Sequence, residues 1–265
     1  MLTACGTTKT PEPQSPVQPA PVVTEVPPQP DPAPQQPETP ALSPAMQALH
    51  DAVDGKDPDA IRTAAHDVID SDTDSPDATT ALCILARTEL SDGHAVAAQR
   101  YAEKALERDA QNYDALMTLA RSAQAQDRLD EAVKTFDRAA AAKADAAEPH
   151  AAKAAILLMF LDYERALAEA EAASQLAPDD CRVLTIHADT LYAAHRFPDA
   201  VAQYTKAEAK RCELPMPALV NLAKLYEVHI QDAAMACKTY QRLVALDPEN
   251  PYYKASMDYQ CAQNP

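Results

Sequence analysis

Thiols and imidazoles have the widest chemical reach of the side chains in this chain. There are six cysteines (Cys5, Cys83, Cys181, Cys212, Cys237, Cys261) and seven histidines (His50, His66, His94, His150, His187, His195, His229). A metal site needs them at spacings that converge on one ion, such as Cys-x-x-Cys or His-Glu-x-x-His, and neither spacing occurs. Three glycines cannot furnish a Gly-rich phosphate loop, and no Gly-x-Ser-x-Gly marks a nucleophile. Asp51, Asp54, Asp57 and Asp59, and then Asp67, Asp70, Asp72, Asp74 and Asp77, are of the type that binds calcium. They lack the Gly and closing Glu of a calcium loop, so a solvated acidic surface is the better reading. No catalytic constellation, metal or cofactor is expected, and the protein is read as a non-enzyme.

The formal net charge is −17. That balance disfavours nucleic acid and anionic lipid headgroups as direct partners and permits basic proteins. No Lys/Arg stripe offers a phosphate track. No run reaches the roughly 20 apolar residues that span a bilayer.

The residues that must build a scaffold are more regular than those that could do chemistry. Ala86, Ala120, Ala154 and Ala188 are 34 residues apart, as are Ala98, Ala132, Ala166 and Ala200, and Ala105, Ala139, Ala173 and Ala207. A fixed period of this length signals stacked repeats. Small residues at three points of a two-helix unit let helices approach where larger side chains would clash. Strand-like alternation of Val, Ile and Thr is absent.

This spacing resembles the tetratricopeptide repeat. Leu82, Leu116 and Leu184 fill the first large apolar column, and His150 departs from it. Leu85 and Leu119 fill the next, with Lys153 and His187 departing; Phe136 and Tyr204 hold the aromatic column, with Ala102 and Ala170 smaller. Pro178 and Pro248 close units where the family usually has Pro. The resemblance implies an all-α fold, an α-solenoid of about five to six helix-turn-helix units. We expect a degenerate unit at 45–78, an array at 79–250 (79–112, 113–146, 147–180, 181–214 and 215–250) and a capping helix or tail at 251–265. Inter-helix turns are expected at Gly93, Asp127-Arg128, Leu161-Asp162 and His195-Arg196. The fifth unit fits only with about two insertions, near Pro215-Met216-Pro217 and His229-Ile230.

In this family the first helices line an inner groove for peptides or helices. Helical phase then implies groove positions at Arg87, Met117, Arg121, Gln124, Leu158, Met159, Asp189 and Tyr192, with Thr80, Cys83, Leu90, Ala151, Ala155, Arg182, Thr185, Asn221 and Lys224 beside them. Stacked Arg87 and Arg121 suggest an anion clamp, the alternative being solvated side chains or local salt bridges. Leu158, Met159 and Tyr192 suggest an apolar floor, or else interior packing. The Lys and Asn clamp of the chaperone-binding members is not carried over, because Cys83, Arg87 and Thr118 stand there.

Hairpin geometry in such units brings Cys181 near Cys212 and Cys237 near Cys261. Both pairs are expected either as disulfides, implying an oxidising compartment, or as reduced small hydrophobes. Residues 1–5, ending Leu2-Thr3-Ala4-Cys5 before Gly6, look like a bacterial lipobox, which would make Cys5 a lipidation site. The charged and apolar segments that precede the box in that family are not in this sequence, so an upstream start or a chance match are the alternatives. Thirteen of the 23 prolines lie from Pro11 to Pro44, so 6–44 is read as a disordered Pro-rich linker, or alternatively a ligand for a proline-recognition domain. The leading expectation is a lipid-anchored adaptor of the outer membrane, facing the periplasm. It would hold an envelope protein in its groove, as analogues do in secretin and pilus assembly or for wall enzymes. Its membrane contact would be by the anchor alone, and self-association into a homo-oligomer is open. The rival is a soluble cytoplasmic interaction module.

Overall fold

A computed structural model of the chain describes residues 42–263. The lipobox at Cys5 and all but the last three residues of the expected linker lie outside them. Among the described residues there are helices and no strands. They run α1 (Pro44–Gly55), α2 (Pro58–Ser71), α3 (Pro76–Ser91), α4 (Ala95–Arg108), α5 (Tyr113–Ala125), α6 (Leu129–Ala142), α7 (Ala147–Met159), α8 (Tyr163–Leu176), α9 (Cys181–Ala193), α10 (Phe197–Ala209), α11 (Met216–Lys224), α12 (Ala233–Leu246) and α13 (Pro251–Ala262). Each helix from α1 to α10 packs on its neighbours in sequence, as do α11, α12 and α13, and α3 also packs on α5, α7 on α9 and α9 on α11. The result is an α-solenoid in which the odd helices line one face.

Starts are set by side-chain caps. Ser43, Asp57, Ser75, Asn112, Asp162, Asp180, Asp232 and Asn250 each accept a backbone N–H of the first turn. Ser75 with Pro76 starts α3 three residues ahead of the boundary expected at 79. Ser43 with Pro44 starts α1 at the last residue assigned to the linker.

Hairpin turns repeat with the period of the sequence. Gly93, Asp127, Leu161 and His195 are left-handed, with φ of 84°, 59°, 59° and 60°. The residue after each donates back to the helix, from His94 to Glu89, Arg128 to Ala123, Asp162 to Leu157 and Arg196 to Leu191, at 2.8 to 3.0 Å. This bond satisfies a carbonyl the helix end would otherwise orphan.

All twelve column alanines are at most 1% exposed. They mark where helices touch, and Phe136, Tyr204 and Tyr240 fill the larger gaps beside them. The fifth hairpin turns at Gln231, 36 residues after His195. One extra residue lies before α11, which starts at Met216, 35 residues after Cys181. The other is absorbed by a π-helical turn, Leu225–Ile230, that extends α11.

Candidate functional site

Three cavities join into one trough along the odd helices. The first, about 250 Å³, lies between α3 and α5 and is lined by Thr80, Arg87, Met117 and Arg121, and by Glu148 of α7. The second, about 350 Å³, shares Glu148 and adds Ala151, Arg182 and Val183. The third, about 490 Å³, shares Arg182 and adds Ala155, Ile186, Asp189, Glu213 and Pro215. Contributions at i, i+3 or i+4 and i+7 from each helix are what one helical face provides.

Charge along the trough is arranged by the repeat. Glu148 pairs with Arg121 and lies 3.5 Å from Arg182, so one carboxylate bridges two arginines across α5, α7 and α9. One unit earlier, the residues corresponding to Arg121 and Glu148 are Arg87 and Asp114. Asp114 is one methylene shorter and lines the same cavity, yet among the described residues Arg87 makes no ion pair. The stacked arginines of the sequence reading therefore differ: Arg121 is engaged and Arg87 is open.

Asp189 occupies the same column at the other end. Its Oδ1 accepts hydrogen bonds from the Tyr204 hydroxyl and, at 2.9 Å, from Asn221. Burial pushes its pKa up against those two bonds. No cation pairs with it among the described residues.

Of the expected groove set, Arg87, Met117, Arg121 and Asp189 line the trough. Gln124, Leu158, Met159 and Tyr192 do not. These four sit in the last turn of their helices, where the chain approaches the hairpin edge. Met159 is 62% exposed there. Tyr192 packs on Phe197, ring centroids 5.9 Å apart, and Phe197 stacks on His229 at 3.6 Å. The apolar residues that line the three cavities include Met117, Ala151, Ala155 and Ile186. Glu148 was missed as a groove residue; its 34-residue spacing from both Asp114 and Arg182 is the signal that marks it.

Cys83 also lines the first cavity, where its thiol donates to Asn112 Oδ1 at 3.3 Å. Burial pushes its pKa to about 11, so it is held as a thiol rather than a nucleophilic thiolate. Cys181 is bonded to Cys212 and Cys237 to Cys261, with Cα separations of 5.3 and 4.9 Å. The first bond ties the start of α9 to the loop beside the third cavity.

The two departures from the apolar column are polar in different ways. Lys153, 7% exposed, reaches Asp137 and Glu169 at 2.5 Å each, and His150 meets Glu169 at 2.7 Å. Burial opposes the Lys153 charge, but the bonds to Asp137 and Glu169 outweigh it and raise its pKa. His187 is 8% exposed and its Nδ1 has no partner among the described residues, so burial lowers its pKa. Among the described residues no group of three or more His, Cys, Asp or Glu could hold a metal ion, and no helix is long and apolar enough to cross a membrane.

Residues 89–156 match the family model of the tetratricopeptide repeat. No curated protein matches the sequence. Among solved structures, pilF of Pseudomonas aeruginosa superposes with a TM-score of 0.69 at 18% identity, covering 83% of this chain and 96% of that one. PilW, described as a widely conserved type IV pilus biogenesis factor, gives 0.67 at 16% identity over 80% and 96%. YrrB, described as a TPR protein with an unusual peptide-binding site, gives 0.57 at 16% identity over 74% and 98%. At these identities the likeness is one of fold. The family match is confined to that segment, and the helices around it continue the same stack as an α-solenoid of tetratricopeptide-like fold.

Proposed function

We propose that this protein is a non-enzymatic adaptor that holds an extended segment or helix of another protein in its trough. The observation that carries the reading is the run of cavities from α3 to the loop before α11, linked by shared lining residues and lined by both apolar and charged side chains. Such a surface grips a chain by many shallow contacts rather than enclosing a small molecule. YrrB, of the same fold, is described as binding peptide.

The finer reading is an outer-membrane lipoprotein anchored at Cys5, facing the periplasm and serving envelope assembly. Three features support it. Thr3-Ala4-Cys5-Gly6 resembles a lipobox. Two disulfides suit an oxidising compartment. PilW, a fold neighbour, is described as a pilus biogenesis factor.

Mass spectrometry of the mature amino terminus tests the anchor. A diacylglyceryl-modified Cys5 is expected, and an intact Met1 with a free Cys5 thiol ends that part of the reading in favour of a cytoplasmic module. Crosslinking and pull-down from the native envelope test the adaptor role. Recovery of a partner should fall with Arg87→Glu plus Arg121→Glu, and undiminished recovery removes the trough from the function.

A further inference from the structure

Among the described residues, ion pairing in the trough is confined to its middle, and the charged groups at its two ends lack ionic partners. Arg121 and Arg182 share the one carboxylate of Glu148 across α5, α7 and α9, so that cluster is internally paired with one positive charge in excess. At the α3 end Arg87 has no ion-pair partner among the described residues. The acid beside it, Asp114, lies in the first turn of α5, where the helix dipole offsets its charge. At the far end Glu213 is exposed and unpaired among the described residues, and Asp189 is a half-buried carboxylate held only by neutral donors. A half-buried carboxylate with no counter-cation is unfavourable, and an incoming ammonium or guanidinium relieves it.

We propose that the trough selects an extended partner segment bearing opposite charges at two separated positions: a carboxylate against Arg87, and a Lys or Arg side chain against Asp189 and Glu213. The proposal rests on the adaptor reading and adds the chemistry of the partner. It also supplies a ruler. Arg87 and Asp189 occupy one column three units apart, and packed helices stand about 8–10 Å from one another. The two contacts are therefore about 25–30 Å apart. An extended chain covers about 3.3 Å per residue, so the acid and the base should be about eight residues apart, with side-chain reach allowing about two either way. The chain's net charge of −17 favours the basic end as the first to be drawn in, with Arg87 fixing the register.

The test uses fluorescein-labelled 14-residue peptides on a Ser/Ala/Val background, titrated against the full chain by anisotropy. Each carries one Glu and one Lys separated by two, five, eight or eleven residues, in both orders. Glu-only, Lys-only, Glu/Glu and Lys/Lys peptides complete the set. Binding should peak near a separation of eight, at least threefold tighter than at two, and should weaken in 0.5 M salt. Arg87→Glu makes both ends negative, so this variant should come to prefer the Lys/Lys peptide over the Glu/Lys peptide of the same spacing. Arg87 is exposed, and unchanged circular dichroism checks that the substitution leaves the fold intact. No dependence on separation, an unaltered preference in Arg87→Glu, or no binding by any peptide overturns the charge ruler. Partner recovery by the wild-type chain in the envelope pull-down would leave the adaptor reading standing in each of these cases.

Discussion

Removing the bond between Cys181 and Cys212 should loosen the acidic end of the trough while leaving the basic end intact. The bond joins residues 31 apart in sequence. In the chain-entropy account, closing a loop of that size removes about 12 cal/mol/K from the open state, about 3.7 kcal/mol at 25 °C. Replacing the pair by Cys181→Ala plus Cys212→Ala costs little else: Cys181 is exposed, and the cavity left by the buried Cys212 sulfur adds about 1 kcal/mol or less. A stack of repeats opens locally, each unit held by itself and its neighbours. The loss should therefore appear in α9 and α10 and fade away from them. Hydrogen exchange read by mass spectrometry resolves this. At 1.4 kcal/mol per factor of ten, α10 amides should exchange on the order of several hundred times faster in the variant, with α3–α6 amides unchanged. Reducing the wild type should reproduce the effect and extend it to α12 and α13 through the second bond, whose 24-residue loop is worth about 3.4 kcal/mol. Unaltered α10 protection would refute the crosslink as a constraint. An equal acceleration in every helix would refute the local opening on which the argument depends.

Two other perturbations address the polar departures from the apolar column. Glu169→Gln leaves buried Lys153 with only the half-exposed Asp137 and takes the charge from the partner of His150, so a loss of about 1–3 kcal/mol is expected in urea unfolding. Adding Lys153→Leu, the residue type at Leu85 and Leu119, should recover stability to within about 1 kcal/mol of wild type. His187, held neutral by burial, should make stability depend on acid: its folded pKa lies below that of the unfolded chain, so the unfolded state takes up a proton first as pH falls below about 6.5. Wild type should then lose stability relative to His187→Leu between pH 6.5 and 5, with no gap opening above pH 7; parallel melting-temperature curves across that range would remove His187 as the cause.

The fold was legible because sterics repeat. Twelve alanines at a 34-residue spacing mark twelve buried contacts, and a left-handed turn falls at each expected hairpin even where Leu161 or His195 must adopt it. The trough was legible only in part. Helical phase placed Arg87, Met117, Arg121 and Asp189 on the inner face. It did not separate these from Gln124, Leu158, Met159 and Tyr192, which lie outside the three cavities. Nor does periodicity reveal pairing. Arg121 is paired with Glu148, whereas Arg87, which shares its cavity with Asp114, makes no ion pair among the described residues. Lys153 and His187 stood out as departures from an apolar column, but whether each was satisfied depended on Glu169 and Asp137 arriving from other helices.

The positions of the two crosslinks have a physical reason in the irregularity of the last units. From α3 to α10 the stack keeps its 34-residue step and needs no covalent help. The two extra residues of the fifth unit, one ahead of α11 and one in the π-helical turn after it, weaken the regular stacking that aligned α3, α5, α7 and α9. Cys212 sits immediately before the first insertion and is tied to α9 of the regular stack, and Cys237 sits shortly after the second and is tied to the terminal helix α13. The two bonds thus fix the segments on either side of α11, the loop before it and the helix pair after it. That placement matters because Asn221 of α11 donates to Asp189, and because the loop before α11 carries Glu213. The covalent bonds thus add a constraint at the irregular end that the regular end lacks, and the first lies where the trough presents acids without an ion-pair partner among the described residues.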